Sequence, residues 1–374
     1  MRTLITGANG FIGKNLCLRL SELKGWELLH FTRDNHSDEL AGLVAGADAV
    51  IHLAGVNRTA DPAEMMAGNE ELTSALCDAI DQTVATGHRP RLIHASSIQV
   101  TRDNEYGRSK LAAEQRMREC IAKHGLDGYI FRLPNVFGKW CRQDYNSVVA
   151  TFCHNIARDL PIRIDNPNTE LNLVYVDDVV DAFLDVLEGR QPPLDKEGLA
   201  QVAPIYQTTL HQLAASIRGF RESRRTHVVD HVGTGLTRAL YSTYLTYLDP
   251  ADFAYSITCH GDQRGIFAEM LRTRDSGQIS FFTAGPGVIR GGHYHHTKAE
   301  KFLVIKGQAR FRFRHMHSGD YHEIVTHGGD LRIVETVPGW THDITNIGDG
   351  EMLVMLWANE QFDPVHPDTY ACPL

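Results

Sequence analysis

Two groups of side chains in this 374-residue chain have the types and spacing that chemistry requires. The first is Tyr106 and Lys110, a Y-x-x-x-K pair. On a helix, residues four apart share a face, so the phenol and the ammonium stand side by side. An adjacent ammonium lowers a phenol pKa, which would let Tyr106 exchange a proton with a substrate oxygen near neutral pH. Ser97 closes the apolar run Arg91–Ser96 and can hydrogen-bond the same oxygen. The second group is His293-Tyr294-His295, then four residues, then Glu300, and later His342 in Pro338-Gly339-Trp340-Thr341-His342. Alternate residues of a strand share a face, so His293 and His295 point together. Three imidazoles and one carboxylate suit Zn²⁺, Fe²⁺, Mn²⁺ or Ni²⁺ and leave coordination positions open. His296 has the opposite strand parity and is read as supporting the set or facing substrate. His315 and His317 are read as solvated.

Each group needs a scaffold. Residues 1–190 alternate strand-like runs (Arg2–Thr6, Trp26–Phe31, Ala49–Ala54, Arg91–Ser96, Tyr129–Leu133) with helical patterns near 13–23, 62–86, 106–124 and 145–158. That rhythm predicts a doubly wound, Rossmann-type parallel α/β sheet. Further helices are expected near 177–188, 209–218 and 236–247. Thr6-Gly7-Ala8-Asn9-Gly10-Phe11-Ile12-Gly13 joins the first strand to the first helix. Glycines at 7, 10 and 13 permit a tight turn, close approach of a pyrophosphate and close helix packing, with the helix N-terminus facing the phosphates. The second strand ends His30-Phe31-Thr32-Arg33-Asp34, where Arg33 favours a 2′-phosphate and hence NADP. Past Asp249-Pro250 strand signals dominate; Arg310–Arg314 reads RFRFR, with Phe311 and Phe313 on one face. The expected domains are 1–248, a nucleotide-binding reductase, and 249–374, an all-β sandwich or barrel.

Composition narrows the functional classes. A net charge of -9 excludes a general nucleic-acid or anionic-membrane binder. Seven scattered cysteines without a C-x-x-C pair exclude a Cys-type zinc site and fit a reducing cytoplasm. Ten of the 20 histidines fall in the last 124 residues, a density that asks for a local explanation such as metal or proton chemistry, though six of the ten have no assigned role.

The first two-thirds resembles the extended short-chain dehydrogenase/reductase family through TGANGFIG, His52-Leu53-Ala54-Gly55, Asn69, Ser96-Ser97, Tyr106/Lys110, Arg132-Leu133-Pro134-Asn135-Val136-Phe137-Gly138 and Val176-Asp177-Asp178-Val179. The resemblance implies that Ser97, Tyr106 and Lys110 are catalytic. It implies cofactor contacts from Gly7, Asn9, Gly10, Phe11, Ile12, Gly13, Arg33, Leu53, Ala54, Gly55, Asn69 and Leu133, and places Asn135 near substrate. Only eight residues separate Ser97 from Tyr106, fewer than most members have, which implies a trimmed, more open rim. The histidine region resembles the cupins, a jelly-roll family, with His293, His295, Glu300 and His342 as metal ligands, zinc foremost. Its second motif departs from the cupin pattern: the proline-to-histidine spacing is one residue short and Arg332 stands at the usual first glycine. Gly261–Glu269 is similar to a stretch of the nucleotide-sugar 3,5-epimerases.

The whole chain is similar to the CapF-type family of bifunctional capsular polysaccharide enzymes. That resemblance implies a cupin that epimerises C3 of a UDP-4-keto-6-deoxy-N-acetylhexose. It also implies a reductase that then reduces C4 with NADPH to UDP-2-acetamido-2,6-dideoxy-β-L-talose, on the route to UDP-N-acetyl-L-fucosamine. By type alone Lys298, His296, Tyr294 or Glu269 could be the epimerase base. Related reductases pair through the helices that here lie near 62–86 and 106–124, which implies a cytoplasmic homodimer. Two other readings stand beside this one: a reductase whose cupin is a structural or dimerising module, and a nucleotide-sensing regulator.

Overall fold

The computed structural model describes residues 1–59 and 61–374. The chain divides into two compact units, Met1–Ile217 with Arg238–Leu248, and Arg218–Thr237 with Asp249–Leu374.

The first unit begins β1 (Arg2–Thr6), α1 (Phe11–Ser21), β2 (Glu27–Phe31), α2 (Glu39–Ala45), β3 (Ala49–His52) and α3 (Pro62–Met66). A π turn (Ala67–Glu71) leads into α4 (Leu72–Ala85), β4 (Arg91–Ser97), α5 (Glu105–His124) and β5 (Gly128–Leu133). The five strands form one parallel sheet in the order β2-β1-β3-β4-β5. Its two faces are both apolar, as a sheet sandwiched between helices requires. Leu4, Val50, Leu92 and Ile130 face the core shared with Leu76, Ile80 and Met117. Ile5, Ile51, Ile93 and Phe131 face the opposite core with Leu16, Leu20 and Phe183. After β2 the chain crosses to the other side of β1, which opens a crevice at the carboxyl ends of β1 and β3. The unit continues with β6 (Asn135–Phe137), α6 (Val148–Ala157), β7 (Glu170–Tyr175), α7 (Val176–Leu187) and β8 (Tyr206–Thr209). Strands β6, β7 and β8 form a small second sheet that sequence periodicity did not reveal.

Helix α8 (Leu210–Thr226) runs eight residues past its expected end, straight through Gly219. A lone interior glycine costs only about 1 kcal/mol relative to alanine, too little to stop a helix that packs on both sides of it. As a result 218–237 belongs with the second unit rather than the first. After β9 (Val228–Val229), helix α9 (Gly235–Leu245) leads back into the first unit.

The second unit is antiparallel and strand-rich. Its strands are β10 (Cys259–Asp262), β11 (Gly265–Thr273), β12 (Gln278–Ala284), β13 (Ile289–Tyr294), β14 (Glu300–Lys306) and β15 (Gln308–His315). They are followed by β16 (Tyr321–His327), β17 (Ile333–Glu335), β18 (Trp340–Asn346), β19 (Met352–Ala358) and β20 (Tyr370–Ala371). Two sheets result, β10-β11-β12-β19-β14-β17 and β16-β15-β18-β13-β20, and β9 adds to β11 in parallel. Phe311 and Phe313 of the alternating run are buried, and with Phe282, Phe302, Val304 and Ile344 they fill the space between the sheets. The expected order, a doubly wound parallel unit followed by a two-sheet all-β unit, is the order observed.

Candidate functional site

The glycine loop is shaped by steric necessity. Gly7 has φ +73, and a Cβ there would lie 2.8 Å from the Ala54 backbone. A Cβ on Gly13 would lie 2.3 Å from the Gly7 carbonyl oxygen. Gly10 caps α1 without any side-chain hydrogen bond, so the first N–H groups of the helix remain free for an anion. Asn9, Phe11 and Ile12 lie in the same loop and first helical turn, and Leu53-Ala54-Gly55 follows β3 beside it. This cradle, which any side chain would fill, fits a dinucleotide pyrophosphate.

Helix α5 presents Tyr106 and Lys110 as its four-residue spacing requires, its N-terminus fixed by Asn104, whose side chain accepts from the Gly107 N–H at 2.7 Å. The Tyr106 hydroxyl donates to Asn57 Oδ1 at 3.1 Å. The expected lowering of the phenol pKa by Lys110 is not what the structure shows. Burial raises the Tyr106 pKa, with the Ser97 hydroxyl pulling the other way and Tyr145 adding to the rise. The reason is geometric: Lys110 Nζ donates to the Ala95 carbonyl at 3.1 Å, on β4. Lys110 is itself buried, and burial brings its pKa down to about 8 against the pull of Glu114. Ser97 ends β4, and its Oγ accepts from the Gln99 N–H.

Asn69 sits in the π turn and is fully committed to the protein. Its amide donates to the Val56 and Met65 carbonyls and to Ser109 Oγ, while its oxygen accepts from the Val56 N–H. It therefore shapes the turn after β3 rather than offering a free group to the crevice. Leu133 is buried at the end of β5, and Asn135 opens β6 with an exposed side chain.

In the second unit His293, His295, Glu300 and His342 converge, with ligand atoms all within 4.8 Å of one another. His293 and His342 are direct cross-strand partners on β13 and β18. Between Gly291 and His293 the ladder shifts by one residue, so Gly292 is the extra residue of a β-bulge. The bulge lets Arg290 and His293, three apart, line one cavity; in a regular strand they would face opposite sides. That cavity, about 1020 Å³, is also lined by Glu300, His342, Lys298, Glu269, Arg264, Arg272 and His227.

The donor set fits a cation. His295 Nδ1 contacts the Asp368 carbonyl oxygen, which can only accept, so Nδ1 carries the proton and Nε2 offers a lone pair. That lone pair lies 3.2 Å from Glu300 Oε2, an arrangement of two acceptors that is favourable only with a positive charge between them. His342 Nε2 is buried, 3.5 Å from the same oxygen, and makes no well-formed hydrogen bond. Burial would raise the Glu300 pKa, but the Lys298 ammonium, 3.3 Å from Oε1, helps to hold it below the usual carboxylate range. Burial, helped by His342, brings the His293 pKa down to about 4, so it is neutral and ready to ligate at neutral pH. The Asp368 carboxylate accepts from the N–H groups of His296, Thr297 and Lys298 and pins the loop between the ligands.

Of the four candidate bases, Lys298 and Glu269 line the cavity. Tyr294 instead stacks on Tyr370 at 5.3 Å between ring centroids, and His296 meets the same ring edge-on at 4.9 Å.

Two domain families match: residues 3–194 fit the NAD dependent epimerase/dehydratase family and residues 260–370 the polysaccharide biosynthesis C-terminal domain. A curated relative from Pseudomonas aeruginosa, a UDP-2-acetamido-2,6-beta-L-arabino-hexul-4-ose reductase, is 55% identical over 372 residues, covering 100% of this chain and 98% of its own. The crystal structure of the capsular polysaccharide assembling protein CapF from Staphylococcus aureus superposes with a TM-score of 0.92 at 40% identity, covering 100% of both chains. A CapF structure with the inhibitor 3-isopropenyl-tropolone gives a TM-score of 0.87 at 36% identity, again over 100% of both chains. This chain belongs to the CapF family.

CapF-family membership makes it a nicotinamide-dependent enzyme of polysaccharide biosynthesis. Arg33 is the residue at which the choice between NADH and NADPH can be tested. In the turn after β2, Asp34 is engaged with Thr32, whereas the exposed Arg33 makes no hydrogen bond or ion pair among the described residues. An unengaged guanidinium at this position is available to a 2′-phosphate. Arg33→Ala is therefore expected to raise the KM for NADPH at least 10-fold while leaving that for NADH within 2- to 3-fold, about the loss of one charged hydrogen bond. Equal effects on both cofactors would show that Arg33 does not read the phosphate.

The structure also brings forward residues that motif reading passed over. Asn57 meets the Tyr106 hydroxyl. Arg290 is held by the Thr283 carbonyl at 3.0 Å and stacked over Phe282 at 5.0 Å. Glu114 lies four residues beyond Lys110, and that interval was visible as a continuation of the Tyr106–Lys110 spacing.

Proposed function

We propose that this CapF-family chain is a bifunctional nucleotide-sugar enzyme. The second unit epimerises C3 of a UDP-4-keto-6-deoxy-N-acetylhexose. The first then reduces the C4 ketone with NADPH, giving UDP-2-acetamido-2,6-dideoxy-β-L-talose for UDP-N-acetyl-L-fucosamine. The observation that carries the reading is the convergence of His293, His295, Glu300 and His342 on a cavity large enough for a nucleotide sugar.

Chemistry sets the order. The C3 proton is acidic only while C4 is a ketone, so reduction first would remove the activation. A divalent metal held by the four ligands, zinc foremost, would supply Lewis acidity beside the C4 oxygen. Lys298 Nζ lies 3.3 Å from Glu300 Oε1, and Glu269 is paired with Arg272 at 2.8 Å. One of these two takes the C3 proton. Arg290 supports a phosphorylated substrate: it is held rigidly against the cavity and has no carboxylate partner among the described residues. In the first unit a nicotinamide held at the glycine loop would supply the hydride for C4. Tyr106, kept protonated by burial, donates its proton to the C4 oxygen, Ser97 positions that oxygen, and the Lys110 ammonium supports the phenol and the bound cofactor.

The test is NMR of the UDP-4-keto sugar incubated with the enzyme in D₂O without NADPH. Deuterium is expected at C3, and it should fail to appear with either Lys298→Met or Glu269→Gln, whichever residue is the base. Ketone reduction with no C3 deuterium in the wild type would remove the epimerase half of the reading.

A further inference from the structure

Glu114 has no place in the chemistry described so far, yet it is 1% exposed and surrounded by groups that matter. It lies on α5 four residues after Lys110 and eight after Tyr106, so one helix face carries all three. Its carboxylate accepts from Ser96 Oγ at 2.8 Å, from Arg132 Nε at 2.9 Å and from Arg132 Nη2 at 2.8 Å, and Arg118 reaches it at 3.2 Å. Ser96 is the neighbour of Ser97 on β4, and the Ala95 carbonyl just before it is the acceptor for Lys110. One buried carboxylate thus ties down the strand end that presents Ser97, the helix that presents Tyr106, and the carbonyl that holds Lys110.

Resting on the reductase role given to Ser97, Tyr106 and Lys110, we propose that Glu114 is a positioning residue of the reductase. It fixes the end of β4 and keeps Lys110 in its ammonium form.

The second part follows from what surrounds Lys110. Tyr106 and Glu114 face it from α5. From β3 and β4 come His52 and His94, which stack on each other at 5.2 Å. Burial keeps both imidazoles neutral, with His52 brought down to about 3. His52 bonds Thr6 and Thr73, and His94 has no hydrogen-bond partner among the described residues. Neutral rings, a neutral phenol and a backbone carbonyl leave Glu114 as the one negative charge acting on this buried ammonium among the described residues. Burial pulls the Lys110 pKa down to about 8, and Glu114 pulls it up. Removing the carboxylate therefore lowers that pKa further, and the ammonium is lost at a lower pH.

The experiment is the pH dependence of NADPH oxidation by the full chain with the UDP-4-keto sugar, for wild type and Glu114→Gln. The alkaline limb is expected to move down by about one pH unit, the usual scale for loss of an adjacent opposite charge. The rate near pH 6 should stay within 10-fold, and Glu114→Asp should restore the limb. If Glu114→Gln leaves Arg132 unpaired and fails to fold, the neutral pair Glu114→Gln with Arg132→Gln is measured instead, with a smaller shift in the same direction expected because the guanidinium goes with the carboxylate. A folded variant whose alkaline limb stays in place overturns the proposal. Lys110→Met serves as the control for the underlying reading. If it retains full reductase activity, that reading fails. If it is inactive while the Glu114 variants show no shift, only the present proposal falls.

Discussion

Replacing Tyr106 with Phe is expected to lower NADPH-dependent ketone reduction by about 10²- to 10⁴-fold, the usual contribution of a positioned general acid. C3 deuterium exchange should stay at the wild-type rate, because Tyr106 belongs to the first unit and the metal set to the second. The loss should fall on kcat rather than KM, since the ring remains and only the hydroxyl goes. The pH behaviour carries a second signature. Burial raises the Tyr106 pKa above its ordinary value. In the direction of reduction the protonated phenol is the active form, so Tyr106 imposes no loss of rate through neutral pH. Any decline from about pH 8 upward belongs to Lys110. A Phe variant with more than a tenth of wild-type reduction would show that another group protonates the C4 oxygen.

The reciprocal result is expected from Glu300→Gln. The amide keeps the size of the side chain but gives up the charge on which the His295 lone pair and the buried His342 nitrogen converge. Bound metal should fall below one-tenth of the wild-type content, measured by elemental analysis. C3 exchange should fall at least 100-fold, a loss of about 2.7 kcal/mol of transition-state stabilisation, and reduction of the keto sugar supplied already epimerised at C3 should persist. Melting decides between a metal that serves the reaction and one that only holds the sandwich together. Exchange lost with melting unchanged marks the first. A large fall in melting temperature, with exchange retained by the enzyme that stays folded, marks the second and returns the second unit to a structural module.

Much of this could be read from residue order because the relevant periods are short and strict. Leu4 and Ile5, or Leu92 and Ile93, go to opposite cores by simple alternation, and the helices between them follow from the same pattern. Phe311 and Phe313 are buried for the same reason. The four candidate metal ligands come together because two antiparallel strands place His293 directly across from His342. What stayed hidden depends on events that a local pattern does not record. Gly219 carries the signature of a helix end, yet packing keeps α8 going to Thr226. Tyr106 and Lys110 have the spacing of an interacting pair, but the ammonium found the Ala95 carbonyl. Glu114 was visible as a residue and invisible as a participant, since its partners Ser96 and Arg132 come from two other strands.

The bulge at Gly292 has a consequence for how this site tolerates a change in length. Gly291 and Gly292 both adopt positive φ, at +92 and +78. Deleting one of them removes no ligand and alters no interval among His293, His295, Glu300 and His342. It restores an unbroken two-residue phase along β13, in which Arg290 and His293, then two apart, still share a face. A gene one codon shorter here would still encode every donor in its proper order. What the extra residue changes is the local bend and twist of the strand, so a chain without it would keep the donors together and differ in how β13 curves past them.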